Sequence, residues 1–186
     1  MNLNRIACQF VDKADNRPIP LVIATSTDNV TVVSDNAGYV VFSVNVQKGT
    51  HFYISVSSAG YEVPVDAFGY RGFRLTVGDG ISIIKLSRTN IAQRSGRLTG
   101  TGKYFHGQIL GKYQDFREAS LTGMDSVQTA SSAGIRYVFY GDTNWTGYPL
   151  GNFKTTNGTI KLASPSLPNC PYSVDFSTDR EIGRAH

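Results

Sequence analysis

Cysteine is scarce in this sequence. Cys8 and Cys170 are its two representatives, and they stand too far apart to read as a metal pair or a disulfide framework. Long apolar runs are missing as well: none approaches the ~18 residues that a bilayer span requires, and residues 1–10 lack the apolar core of a signal peptide. No membrane span is expected, and the chain is either cytoplasmic or preceded by further sequence. Charged residues amount to 17%, and the net charge of +4 is spread thinly, its densest grouping being Arg88, Arg94, Arg97 and Lys103. Nucleic-acid binders interleave a basic stripe with aromatics. No such stripe is present, so no nucleic-acid partner is expected. His51 and His106 have no second ligand at metal spacing, Ser126 has no nearby His or nucleophile elbow, and residues 99–102 lack the strand–loop–helix setting of a phosphate loop. Metal, cofactor and serine-hydrolase chemistry are accordingly not expected.

What the chain does have is turn formers and strand formers. Nineteen Gly, seven Pro, ten Tyr and ten Phe, beside many Val, Thr and Ser, favour short strands joined by tight turns, so the class reads as all-β. Ile6, Cys8 and Phe10 alternate as in a half-buried strand. Turn residues at 12–18, at Asp28-Asn29 and along Ser34-Asp-Asn-Ala-Gly38 separate strands over 21–25, 30–34 and 39–44, and a further strand is expected over 51–57. Residues 61–72 are too rich in Gly, Pro and aromatics for a strand and read as a packed loop. Strands over 73–77 and 81–86 close the module. About seven short strands in some eighty residues match a β-sandwich, and none of them looks catalytic.

Residues 88–104 break the pattern with Gly and cations and read as a linker, with a helical turn at 90–94 capped by Asn90. Beyond it, 105–110 and 127–130 read as strands. The stretch from Gly123 to Gly151 reads as a hairpin: Asp125 at its head, a turn at 131–134, and a buried strand at 135–140 that runs into Gly-Asp-Thr-Asn-Trp. A Gly-, Asn-, Thr- and Pro-rich tail follows.

Two resemblances add to this reading. Arg-Pro-Ile-Pro-Leu-Val at 17–22, Ser-Asp-Asn-Ala-Gly-Tyr-Val-Val-Phe at 34–42 and Ser-Ser-Ala-Gly-Tyr at 57–61 resemble the transthyretin-like sandwich called the carboxypeptidase regulatory-like domain. The resemblance covers residues 5–88 and implies an accessory module of secreted or cell-surface proteins, hence an extracellular or periplasmic setting. Further on, Asn-Ile-Ala-Gln-Arg from Asn90, Arg-x-Thr-Gly-x-Gly-x-Tyr from Arg97, Gly-x-Asp-Ser-Val-Gln from Gly123, and Tyr-Val-Phe-Tyr-Gly-Asp-Thr-Asn followed by Tyr-Pro-Leu-Gly-Asn-Phe resemble the opening of a five-bladed β-propeller. The clan implied is that of the arabinanase and levansucrase glycoside hydrolases. The sequence departs from that pattern at 103–107, Lys-Tyr-Phe-His-Gly, where Ile-Tyr-Arg-Asp-Ser is expected.

The expected organisation is thus an Ig/transthyretin-like sandwich over 1–88, a linker over 89–104, an incomplete propeller of one or two blades over 105–180, and a non-native tail over 181–186. A blade takes roughly 40–45 residues and at least four are needed to close the ring, so the remaining blades of a longer chain are expected as partners. The propeller resemblance gives Asp125 the place of a catalytic carboxylate on the innermost strand of the first blade. Glycosidic cleavage needs a second carboxyl across the bond, closer for retention and farther for inversion, and that group would lie on a later blade. Asp142, Asn144, Trp145 and Tyr148 are the substrate-binding candidates, the first two for sugar hydroxyls and the aromatics for stacking. Against these stand structural roles: Asp125, Asp142 and Asn144 as local turn caps, and Trp145 and Tyr148 as packing groups. The expected function is the N-terminal part of a carbohydrate-active, glycoside hydrolase-like protein, inactive as it stands. The alternative is a non-catalytic glycan-binding or cell-surface interaction module.

Overall fold

The computed structural model describes residues 4–78, 80–97, 106–110, 112, 121–145, 154–161 and 174–176. The chain is all-β, and it forms two compact units. Residues 1–96 and 104–114 make the first, and 97–103 with 115–186 the second.

The first unit is a sandwich. One four-stranded sheet has the order β4-β1-β8-β6, built from β1 (Asn4–Asp12), β4 (Tyr39–Val44), β6 (Tyr61–Glu62) and β8 (Ile81–Arg88). The other has the order β3-β2-β5-β7, from β2 (Ile23–Ser26), β3 (Thr31–Val33), β5 (His51–Ser57) and β7 (Gly72–Thr76). β1 runs antiparallel to β4 and parallel to β8, while all pairings in the second sheet are antiparallel. The alternation at Ile6, Cys8 and Phe10 aims those three side chains into one core, where Val40, Phe42, Ile84 and Leu86 of their own sheet meet Ala24, Phe52, Ile54, Val56 and Leu75 of the opposite one. Phe42 and Phe52 join the sheets through tilted rings 5.4 Å apart. Each fully buried side chain of this size contributes about 1.5–3 kcal/mol of apolar transfer.

Burial also governs Cys8. Desolvation pushes its thiol up to about 12, so it stays protonated and acts as a small apolar group.

The polar groups of this unit are largely committed to its own backbone. Ser34 Oγ accepts from the Val22 N–H at 2.8 Å and donates to the Ile19 carbonyl at 2.8 Å. Asp35, fully buried, accepts at Oδ1 from the N–H groups of Ala37 and Tyr39, which closes the turn into β4. At the end of that turn Gly38 has φ 78°, and a Cβ there would stand 2.4 Å from the Phe10 carbonyl oxygen. Only glycine suits both demands.

Two short segments differ from the sequence expectation. Residues 105–110 were expected as a strand, but His106–Ile109 form one helical turn, α1, within the first unit. Tertiary hydrogen bonds override the local strand propensity: the Gly107 N–H donates to Asp35 Oδ2 at 2.5 Å, and His106 Nδ1 accepts from the Val41 N–H at 3.2 Å. This covers part of the edge of β4, which would otherwise stand open. It is also where the sequence departs from the propeller pattern. Residues 90–94, expected as a helical turn, are irregular, because Arg94 is drawn away to the carbonyls of Pro20 and Ala59 and lies 5.7 Å over the Tyr61 ring. Arg88 pairs with the buried Asp12 at 3.3 Å. Two members of the cationic grouping thus serve the sandwich itself.

The second unit is a five-stranded antiparallel sheet. Its path is β10 (Val127–Ser132), β11 (Ile135–Trp145), β12 (Lys154–Lys161) and β13 (Val174–Phe176), and β9 (Leu121–Met124) pairs with the far half of β11. This is an antiparallel meander of the kind that forms a propeller blade. β10 and β11 meet in a two-residue turn, Ala133 at φ 50° and Gly134 at φ 76°, the backbone twist that tight hairpins favour. Leu121, Val138, Tyr140, Ile160, Val174 and Phe176 gather on one face. Strands β12 and β13 fall in the tail that composition marks as turn-rich. Gly158 makes their close pairing possible, since a Cβ there would lie 2.7 Å from Val174 and 2.9 Å from the Asp175 carbonyl oxygen.

Candidate functional site

Asp125 lies between β9 and β10, where the two strands share one partner, β11. The register runs unbroken across the junction, with Met124 opposite Thr143 and Val127 opposite Tyr140. The backbone nevertheless kinks. Ser126 has φ 51°, a left-handed conformation that costs a non-glycine residue roughly 1–3 kcal/mol. The Gly141 N–H is shared between the carbonyls of Asp125 at 2.9 Å and Ser126 at 3.1 Å, and the Asp125 N–H donates to the Asp142 carbonyl at 3.1 Å. Gly141 leaves room for this, because a Cβ on it would stand 3.0 Å from Ser126 Cβ and 3.5 Å from Asp125 Oδ1.

The kink brings Asp125 and Asp142 side by side on hydrogen-bonded backbones. Both side chains are exposed. Among the described residues neither carboxylate accepts a hydrogen bond, so the capping role weighed for each in the sequence is not how the chain uses it. The Gly-Asp-Thr-Asn-Trp segment is not a turn but the continuation of β11. Along it Thr143 is buried, bonding its hydroxyl to the Gly141 carbonyl at 2.9 Å. Asp142 and Asn144, two residues apart on this strand, are both exposed. Asn144 lies opposite Gly123, with its amide nitrogen 3.8 Å from where a Cβ of that glycine would be.

The structure therefore assembles three of the five residues singled out in the sequence at one end of the sheet: Asp125, Asp142 and Asn144. Trp145 ends β11, but its side chain lies outside the described residues, as does all of Tyr148. Cys170 is also outside them. Among the described residues no group of three His, Cys, Asp or Glu is placed to hold a metal ion, and no helix is long and apolar enough to cross a membrane.

One feature escaped the sequence reading. Residues 135–140 were expected to be buried throughout, yet only alternate residues are: Val138 and Tyr140 face the core, while Tyr137 is 39% and Phe139 49% exposed. In the sheet register Phe139 stands between Gln128 and Asn157, and Tyr137 between Ala130 and Thr159. A continuous apolar run carries no signal of which face is covered, so nothing in Ile-Arg-Tyr-Val-Phe-Tyr distinguishes these outward rings.

No protein-family model, curated protein or solved structure matches the chain.

Proposed function

We propose that the chain belongs to a carbohydrate-active protein of the propeller-bearing glycoside hydrolase kind, in which the second unit supplies a blade and the sandwich is an accessory module. The observation that carries this reading is the uncommitted Asp125 carboxylate. It is held at a strained kink, exposed, and next to Asp142 and Asn144. Backbone strain held in place by neighbouring hydrogen bonds is a mark of positions kept for function. A lone carboxylate of this sort suits one half of a glycosidase pair, and adjacent Asp and Asn side chains suit sugar hydroxyls. In this reading the acid partner comes from another blade, so the chain binds oligosaccharide without cleaving it.

A panel of oligosaccharides, tested by saturation-transfer NMR and by reducing-sugar release, checks this. Binding that is lost in the Asp125→Ala, Asp142→Ala double variant, with no sugar released by either protein, is the expected outcome. Unchanged binding in the double variant would exclude this end of the sheet.

A second reading, a non-catalytic glycan-binding module, has its own support in the outward Tyr137 and Phe139. Phe139, flanked by the primary amides of Gln128 and Asn157, gives a sugar both a stacking face and hydrogen-bond partners, and Tyr137 adds a second ring on the same strand. Loss of binding in Phe139→Ala, with Asp125→Ala unaffected, would favour it over the first.

A further inference from the structure

One face of the second sheet turns away from its apolar cluster, and the ladder register shows what stands on it. Residues directly opposite in a ladder share a face, and successive residues along a strand alternate between faces. Tyr137 and Phe139 lie on the outer face. Beside Tyr137 stands Thr159 and, one strand further, Asp175; beside Phe139 stand the primary amides of Gln128 and Asn157.

Beyond Tyr140 the alternation slips. Regular continuation would place Thr143 outward with Phe139, and Asp142 and Asn144 inward with Tyr140. The opposite is found. Thr143 is buried, and Met124 across from it packs on the cluster that holds Val138 and Tyr140, whereas Asp142 and Asn144 are exposed. The kink at Asp125 and Ser126 thus reverses the faces of β11 without changing the register between its two halves. Gly141 stands at the reversal, next in alternation after Phe139. A Cβ on it would lie 3.5 Å from Asp125 Oδ1, so the Asp125 carboxylate sits beside the place that a further outward side chain would take. Tyr137, Phe139, Asp125, Asp142 and Asn144 therefore follow one another on a single face.

The chemistry of this row favours one kind of ligand. Asp125, Asp142 and Asp175 are exposed carboxylates, and the register places one cation on the same face among the described residues, Lys161 opposite Ile135 at the far end. An anionic ligand is repelled there. Carboxylates accept hydrogen bonds, and primary amides both donate and accept, so hydroxyl groups find partners along the whole row. The two rings supply apolar surface about 6.6 Å apart in line with the strand. At ~3.3 Å per residue, Tyr137 to Asn144 spans about 20–23 Å, the length of roughly four pyranose units in an extended chain. A straight strand suits a straight ligand: a β-1,4-linked chain is a ribbon, whereas an α-1,4-linked chain coils away from the second ring.

We infer that a neutral β-1,4-linked oligosaccharide lies along β11, with sugar rings against Tyr137 and Phe139 and hydroxyls on Asp125, Asp142 and Asn144. The inference rests on the carbohydrate reading given above. It joins the acidic end of the sheet and the outward rings, weighed there as alternatives, into one site, and the kink is the device that brings them onto one face.

The experiment is titration of the full chain with cello- and xylo-oligosaccharides, from the disaccharide to the hexasaccharide, with maltohexaose and tetralysine as comparisons. In at least one series affinity should climb up to the tetrasaccharide and then level off, and the two comparisons should not bind. Phe139→Ala should weaken hexasaccharide binding roughly threefold to tenfold, and Asp142→Ala about tenfold, both with an unchanged melting temperature because both positions are exposed. In Phe139→Ala the gain from added sugar units should also shrink, which a merely structural role would not produce. Equal affinity for disaccharide and hexasaccharide, or loss in one variant with full affinity in the other, would overturn the single row and leave the carbohydrate reading standing. Maltohexaose binding as tightly as the ribbon-like sugars, or tighter binding of tetralysine, would overturn the choice of ligand and with it the inference. No binding of either series would overturn it too; a ligand found by the wider oligosaccharide panel would then preserve the carbohydrate reading, and none would remove both.

Discussion

Aspartate behaves differently in the two units. In the sandwich, Asp12, Asp15, Asp35 and Asp66 each accept backbone N–H groups within a few residues, fixing turns at 12–17, 35–39 and 66–70. In the second sheet Asp125, Asp142 and Asp175 are exposed, and among the described residues none of them accepts such a bond. A carboxylate claimed by local amides is spent on the fold. One left unclaimed, at a kink that costs energy to hold, is available for a ligand. The same contrast runs through the apolar residues. Sixteen buried members from two sheets and their loops form the sandwich cluster, against six on the second sheet among the described residues. The sandwich is organised around an interior closed by two sheets, whereas the second sheet gathers its buried residues on a single face among the described residues.

Four experiments test how deep this contrast goes. The largest effect concerns Cys8. A rise from its usual value of 9.0 to about 12 lowers the thiolate fraction about a thousandfold at neutral pH, since each unit is tenfold. Peptide mapping after alkylation should show Cys8 unlabelled in the folded chain and fully labelled in denaturant. Prompt labelling under native conditions would mean that the core opens readily. The sign of the accompanying pH effect follows directly. The folded state holds the proton more tightly, so stability from this group is complete below pH 9 and is lost as pH rises towards 12.

Next in size is the core itself. Phe10→Ala should cost about 3–5 kcal/mol in urea unfolding, from lost transfer energy plus the cavity. Val138→Ala in the second sheet should cost only about 1.5–2 kcal/mol, two methyl groups' worth. Equal losses would erase the energetic difference between the units. Asp35→Asn comes third, at about 1.5–3 kcal/mol, because it replaces a buried anionic acceptor of several N–H groups. Amide exchange should accelerate at Gly107 and Ala37 together, and protection retained at Gly107 would show that Asp35 does not hold α1. The smallest effect is a gain. Ala133→Gly relieves a positive φ in the hairpin turn and should stabilise the second sheet by about 0.5 kcal/mol, after the greater freedom of an unfolded glycine is subtracted. A loss would show that the turn is not strained.

Much of the sandwich could be read in advance because its signals are local. Alternation at Ile6, Cys8 and Phe10 set the inward face of β1, and Ser34-Asp-Asn-Ala-Gly38 specified a turn through an acceptor and a residue tolerant of positive φ. The second sheet was legible in its hairpin, where Ala133-Gly134 separates two runs, and in the clustering of Asp125, Asp142 and Asn144. What escaped depends on distant partners. α1 exists because Asp35 and Val41 bond to it, and nothing within residues 106–109 announces that. β12 carries Lys, Thr, Asn and Gly, and it is a strand because β11 and β13 flank it. The outward turn of Tyr137 and Phe139 depends likewise on which face of the sheet is covered, which only the assembled sheet decides.

The bond between Asp35 and Gly107 spans 72 residues. During synthesis at roughly 5–20 residues per second, the carboxylate is made about 4–14 s before the N–H it will hold. Through that interval one oxygen at the heart of the turn lacks this donor, and in its closing part, after Arg88, every strand of the sandwich is already made. Completion of the first unit is therefore timed by a segment that follows it in the chain. The short helix is thus the last described element of the first unit to be made, and its two bonds to residues 35 and 41 close last.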